Sequence, residues 1–79
     1  MTEIKIDKIA YQSHKASGTL ERYRGHWIAV ELNNRGYDIN YQIAIGFDKE
    51  EKPEEYAAYQ AARADVKKYI DSLFAQIED

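Results

Sequence analysis

The chain has 79 residues, a formal net charge of −3 and no cysteine. Its length predicts one domain over residues 1–79, near the lower size limit at which a single core sustains a fold. The lack of cysteine excludes disulfides, thiolate metal sites and a cysteine nucleophile, and the acidic balance argues against anionic membranes as partners. Charge is uneven along the chain: residues 1–36 sum to +2 and residues 37–79 to −5.

Residues 3–12 are rich in β-branched and aromatic side chains, which predicts a first β-strand. The apolar positions change face midway, so this strand needs a bulge near residues 7–8. The alternative is a short helix that uses Ile6, Ile9 and Ala10. Residues 14–18 then form a loop.

A β-hairpin over residues 27–47 is the central predicted element. Its first arm belongs to a strand over residues 19–33, with a bulge or bend at Gly25. In its second arm, apolar side chains alternate with small or polar ones, the period of two that is typical of a strand. These apolar residues are Tyr37, Ile39, Tyr41, Ile43, Ile45 and Phe47.

The length of the hairpin turn decides which face of the second strand meets the helix. A three-residue turn, with positive φ at Gly36, places Trp27 and Ala29 on the same face as Tyr41. A turn of two or four residues places Ile28, Val30 and Leu32 there instead. Either way one apolar stripe is left over, covered by loops or the first strand, or forming a dimer or partner surface.

Residues 53–77 predict a long helix. Pro53 is favourable in a first turn, and Glu54 and Glu55 suit the positive end of the helix dipole. Apolar residues recur at steps of three and four, as in the core face of an amphipathic helix. The predicted fold is therefore α+β: a three-stranded antiparallel β-meander packed on one long C-terminal helix, in the order β-β-β-α.

Catalytic patterns are weak. Ser13 and His14 are neighbours in sequence, but adjacent residues of a strand point to opposite faces, so they do not predict a nucleophile and its base. His14 and His26 lack helical metal-ligand spacing, and the scattered glycines form no phosphate-binding loop. We therefore predict no enzymatic activity, no cofactor and no metal site, and no small-molecule substrate.

Two charged clusters are candidate binding surfaces. An acidic patch could dock on a basic partner; it contains Asp48, Glu50, Glu51, Glu54 and Glu55. A basic and aromatic cluster around Arg22, Arg24 and Trp27 combines guanidinium groups with rings that can bind phosphates and stack on bases. The full set of nucleic-acid contacts predicted on this basis is Lys5, Arg22, Arg24, His26 and Arg35.

Several short motifs follow one another in an order found in known DNA-binding domains. They are Tyr23-Arg24-Gly25, Gly25-His26-Trp27-Ile28-Ala29, Ile45-Gly46-Phe47 and the run from Glu54 to Ala62. Over residues 23–62 the chain resembles the ethylene-response-factor type of domain and the arm-binding domain of tyrosine recombinases. In those families a three-stranded sheet enters the major groove and a helix packs behind it.

Carried over by position, this resemblance implies that Trp27 and Ala29 are core residues. It implies that the DNA-facing positions are Ile28, Val30, Asn40 and Gln42. The families have arginine and other polar groups where this chain has Ile28 and Val30, and apolar side chains cannot donate to base edges or phosphates.

The first hypothesis is a small, cytoplasmic, non-enzymatic protein-interaction module, a regulator, adaptor or inhibitor such as phages and mobile elements encode. Its partner is another protein or a second copy in a homodimer. Its predicted interface has an apolar centre and a polar rim, formed by Ile28, Val30, Leu32, Glu31, Asn40 and Gln42. The second hypothesis is a nucleic-acid-binding domain that uses the basic and aromatic sheet face.

Overall fold

The computed structural model describes residues 2–78, and within them it contains four α-helices and no β-strand. The helices are α1 (Lys8–Ser17), α2 (Leu20–Asn34), α3 (Ile39–Phe47) and α4 (Pro53–Glu78). The predicted α+β fold with a three-stranded meander is therefore wrong. The β-β-β-α architecture implied by the resemblance to DNA-binding domains is wrong for the same reason.

Helix α1 replaces the predicted first strand and agrees with the alternative of a short helix, although it includes Ile9 and Ala10 and not Ile6. Its N-cap is Asp7, whose carboxylate accepts a hydrogen bond from the backbone N–H of Ala10 at 3.1 Å. It ends at Gly18, which has φ +76° and lets the N–H of Thr19 donate to the carbonyl of His14 at 2.9 Å. These two caps satisfy hydrogen-bonding backbone groups at both ends of the short helix. The strand prediction relied on the β-propensity of single residues, which takes no account of such caps.

Helices α2 and α3 replace the predicted hairpin. Gly36 has positive φ, as predicted, but it follows a helix: the N–H of Tyr37 donates to the carbonyl of Leu32 at 2.8 Å. Asp38 then caps α3 by accepting from the N–H of Tyr41 at 2.8 Å. Gly25 is inside α2, where it makes no bulge.

The predicted C-terminal helix is confirmed. Helix α4 begins at Pro53, has Glu54 and Glu55 in its first turn, and extends one residue past the predicted end. Its regularly spaced apolar residues face the interior, and the buried ones are Tyr59, Val66, Ile70 and Phe74. The spacing of apolar residues predicts this helix reliably because it continues over seven helical turns.

All four helices contribute to one core along α4. Arg24, near the start of α2, pairs with Asp71, near the end of α4, whereas Tyr37 packs on Tyr59 in the first half of α4. The two longest helices therefore run antiparallel. The buried core residues are Tyr11, Ile28, Leu32, Ile45, Tyr59, Val66, Ile70 and Phe74.

Helix α1 packs at the C-terminal end of α4. The ring of Tyr11 meets the ring of Phe74 edge-on, with centroids 5.2 Å apart, and its hydroxyl donates to the carboxylate of Glu78. This hydrogen bond lowers the pKa of Glu78 and raises the pKa of Tyr11. Helix α3 packs against the opposite half of α4, so α1 and α3 lie at the two ends of the molecule.

The segment of residues 2–7 has no regular secondary structure, yet it packs on the helices. The N–H of Thr2 donates to Oδ1 of Asn34, at the end of α2, at 2.7 Å. Ile4 and Ile6 are half-buried against the core, beside Leu73 and other residues near the end of α4. The segment thus runs from the C-terminal end of α2 to the C-terminal end of α4, which lie toward opposite ends of the antiparallel pair.

Candidate protein-binding surface

Helix α3 has apolar side chains on two opposite faces, and only one face is buried. Ile45 on the inner face is 3% exposed. Beside it, Gln42 donates to the carbonyl of Tyr37 at 2.9 Å and accepts from the hydroxyl of Tyr59 at 3.1 Å. The outer face consists of Ile39, Ile43 and Phe47, which are 63%, 53% and 84% exposed.

These three outer residues, called the α3 stripe below, follow one another at steps of four and so lie one above another along the helix. A surface helix normally places charged or polar side chains there. Helix α3 has no charged residue between its cap at Asp38 and its end at Phe47. A contiguous exposed apolar row of this kind is typical of interaction sites.

Ile9 on α1 provides a contrast. It is 77% exposed, but the residues one turn further along α1, Gln12 and Ser13, are polar. A single exposed isoleucine is ordinary in a folded protein and indicates no binding site. The α3 stripe differs because its apolar side chains are adjacent.

A shallow cleft continues the stripe toward α2. It has a volume of about 320 Å³ and lies between the exposed side of α2 and the first turn of α3. Val30 and Ile39 contribute apolar walls, and His26, Asn33 and Gln42 add polar groups. Val30, a member of the predicted interface, is thus half-buried beside the α3 stripe.

The predicted acidic patch lies at the other end of the stripe. Its five residues occupy the turn after Phe47 and the first turn of α4. Asp48 is half-buried and the four glutamates are exposed. The structure therefore brings together two features that are adjacent in sequence: an apolar row that ends at Phe47 and a cluster of carboxylates that begins at Asp48.

The predicted partner interface does not form one surface. Ile28 and Leu32 are 6% and 1% exposed and belong to the core, so their side chains are not available to a partner of the folded chain. Glu31 is half-buried and pairs with Arg35 at 2.9 Å. The prediction for the centre of the interface is wrong because it required a strand, in which every second residue shares a face. Asn40, exposed on α3, remains near the stripe together with the half-buried Gln42.

The predicted nucleic-acid contacts are also dispersed. Arg24 donates through Nε and Nη2 to the two carboxylate oxygens of Asp71, at 2.7 and 3.0 Å. Arg35 pairs with Glu31, and the amine of Lys5 lies 3.6 Å from the carboxylate of Glu3.

Only two of the five predicted contacts, Arg22 and His26, lie one turn apart on the exposed side of α2. The sheet face that was to carry the five residues does not exist in residues 2–78. The arrangement thus lacks the single basic surface that the second hypothesis required.

The polar groups around His14 close the junction between α1 and α2. Nδ1 of His14 lies 2.7 Å from Oγ1 of Thr19, which is also 2.8 Å from Oγ of Ser17. The imidazole stacks on the ring of Tyr23, with centroids 4.5 Å apart. Thr19 precedes α2 but makes no side-chain cap, because its hydroxyl is engaged in this network.

The sequence prediction missed the α3 stripe although its signal was present. Successive side chains of an α-helix are 100° apart, so residues two positions apart are 200° apart. An alternating apolar pattern therefore produces two stripes on opposite sides when it is wound into a helix. Ile39, Ile43 and Phe47 form one stripe, and Tyr41 and Ile45 form the other.

No protein-family description, no curated protein and no solved structure matches the chain. Within residues 2–78, no helix is long and apolar enough to cross a membrane. In the same part of the chain, no three histidine or acidic residues are grouped in a way that could hold a metal ion.

Proposed function

We propose that this chain is a non-enzymatic protein-interaction module that binds a helical segment of another protein on the α3 stripe. A regulator, adaptor or inhibitor acts through such a surface. The lack of cysteine in the chain is consistent with the reducing cytoplasm in which we place this activity.

One observation carries the proposal. Ile39, Ile43 and Phe47 leave more than half of their side-chain surface in water on successive turns of a helix that buries Ile45 on its other side. Exposing apolar area of this kind to water costs free energy, which is regained when a partner covers the area.

The shape of the surface favours a helix as the partner. Three side chains spaced one turn apart form a straight row about 12 Å long, since a helix rises about 1.5 Å per residue. A second helix can lie along such a row and place side chains between its members. The neighbouring cleft between α2 and α3 can receive one larger side chain at the Ile39 end of the row.

The test is a selection of helical peptides from a displayed library against the wild-type protein. Affinities of the selected peptides are then measured for the double variant Ile43→Ser/Phe47→Ser and for the control Ile9→Ser. Central apolar contacts of an interface cost more than about 1 kcal/mol each when truncated. We therefore expect the double variant to lose at least about tenfold in affinity and the control to bind like the wild type.

All replaced side chains in this experiment are more than half exposed, so the variants should keep their helical circular dichroism. A folded double variant that binds the selected peptides as tightly as the wild type contradicts the proposal. Binding that is lost equally in Ile9→Ser also contradicts it.

A further inference from the structure

Among residues 2–78, the carboxylates next to the α3 stripe have no cationic partners. None of the five acidic-patch residues has a lysine or arginine nitrogen within 4.0 Å among residues 2–78. In the same range, five of the other acidic residues do have such a neighbour: Glu3, Glu21, Glu31, Asp71 and Glu78. The charges of the patch are therefore available to a partner, whereas most other carboxylates are compensated internally.

The charge of this region also differs from that of the rest of the chain. Residues 38–55 contain six acidic residues and two lysines, a net charge of −4. The remaining residues contain eight acidic and nine basic ones, a net charge of +1. The negative charge of the protein is thus concentrated around the α3 stripe.

We infer, on the basis of the proposed function, that the helix bound by the α3 stripe is cationic and amphipathic. Its apolar face covers Ile39, Ile43 and Phe47, and its lysines and arginines lie next to the carboxylates that follow Phe47. Complementary charge at the edge of an apolar contact speeds association and excludes wrong partners.

A second copy of the chain fits this surface poorly. Helix α3 has Asp38 at its N-terminus, the acidic patch beyond its C-terminus, and no lysine or arginine between them. Two copies packed through α3, parallel or antiparallel, therefore bring negative ends together. A nine-residue helix is also only about 13.5 Å long. The stripe is therefore small beside the roughly 800 Å² that each partner of a stable dimer buries.

The test uses two designed helical peptides with identical apolar faces. One has lysines at its polar positions and the other has glutamates. Fluorescence anisotropy gives the affinity of each peptide for the wild type, for Ile43→Ser, for Glu50→Gln/Glu51→Gln and for Asp65→Lys. The last variant is a control, because it changes net charge by +2, like the double variant, at an exposed position on α4 outside the patch.

We expect the lysine peptide to bind at least about tenfold more tightly than the glutamate peptide at low salt. The variant Glu50→Gln/Glu51→Gln loses two exposed ion pairs with the lysine peptide and should therefore bind this peptide about fivefold more weakly. Asp65→Lys should leave the affinity for the lysine peptide nearly unchanged, because this affinity depends on the charge beside the α3 stripe and not on the net charge of the protein. High salt should reduce the preference between the two peptides.

The outcomes separate this inference from the proposed function. Equal binding of both peptides, abolished by Ile43→Ser, overturns the inference and leaves the proposed function intact. Failure of both peptides to bind the wild type overturns both. A concentration-dependent dimer that Ile43→Ser makes monomeric, measured by light scattering, identifies a second copy as the occupant and overturns the cationic partner.

Discussion

At the scale of single residues, one ion pair joins the two longest helices. The guanidinium of Arg24 on α2 donates two parallel hydrogen bonds to Asp71 on α4, a geometry that holds both side chains in place. Hydrogen bonding from Arg24 lowers the pKa of Asp71. The arginine is mostly buried and the aspartate is about half exposed, so solvent weakens the pair without removing it.

We predict that Asp71→Asn lowers the free energy of unfolding at pH 7 by about 0.5–1 kcal/mol. The folded-state pKa of Asp71 is depressed, so its contribution is complete above the unfolded pKa of about 3.9 and is lost as the pH falls through the folded pKa. The difference between wild type and variant should therefore be constant near neutrality and shrink below about pH 4. Urea unfolding at a series of pH values measures it.

Asp65→Asn is the matched control for this prediction. Asp65 is an exposed aspartate of the same helix, and within residues 2–78 it has no cation within 4.0 Å. Its replacement should leave the stability nearly unchanged at every pH. If both variants lose the same free energy, the Arg24 pair is not the cause.

At the scale of elements, α4 was predicted from its apolar spacing, α1 was an alternative to a strand, and α2 and α3 were predicted as strands. Helix α4 repeats its apolar spacing over 26 residues, which no strand can imitate. Helices α1 and α3 have only 10 and 9 residues, too few turns for the period to be distinguished. Their decisive signals are the N-cap residues Asp7 and Asp38. Each carboxylate accepts a hydrogen bond from the backbone N–H three residues later.

The second helix misled the prediction for a different reason. Residues 27–32 are apolar on both sides of a strand, and in α2 the same residues divide between core and surface: Ile28 and Leu32 are buried, whereas Ala29 is exposed. The leftover stripe expected on residues 27–32 is not observed, and an exposed apolar row lies instead on α3. The acidic patch was predicted as a unit because its members lie within residues 48–55, and residues so near in sequence stay near in any fold.

We predict that the same substitution destabilises the protein much more on the inner face of α3 than on its outer face. Ile45→Ser removes a buried side chain from the core and should lower the free energy of unfolding by about 2–4 kcal/mol. Ile43→Ser acts on a side chain that is 53% exposed and should cost less than about 1 kcal/mol. Chemical denaturation of both variants, followed by circular dichroism, gives the two values.

Ile43→Ser serves here as the internal control, since residue type, helix and replacement are the same. Both substitutions also lower helix propensity equally, so the difference between them reports burial alone. Similar losses of stability in the two variants contradict the assignment of inner and outer faces. In that case Ile43 belongs to the core and the α3 stripe is not a free surface.

At the scale of the whole molecule, one small core depends on every element of the chain. A 79-residue protein has a total stability of only about 4–12 kcal/mol, so the packing of an irregular segment matters. Residues 2–7 extend from the C-terminal end of α2, where Thr2 donates to Asn34, to the C-terminal end of α4, where Ile4 and Ile6 pack. With no cysteine, the fold has no disulfide to take over this role.

The contribution of this segment can be measured with two isoleucines that are three positions apart. Ile6 is half-buried against the core, whereas Ile9 is 77% exposed on α1. We predict that Ile6→Ala lowers the free energy of unfolding by about 1–2 kcal/mol, roughly half the cost of a fully buried isoleucine. Ile9→Ala should leave it unchanged or raise it by a few tenths, because alanine has the higher helix propensity.

Hydrogen exchange locates the effect in the same pair of variants. In Ile6→Ala, amides near the C-terminal end of α4 should exchange faster, because Ile6 packs beside Leu73 and Ile77. Amides of α3, which packs near Tyr59 on the half of α4 away from Ile6, should change only as much as global stability does. A loss of protection that is uniform over all four helices, or equal in Ile9→Ala, would show that Ile6 does not stabilise the end of α4 locally.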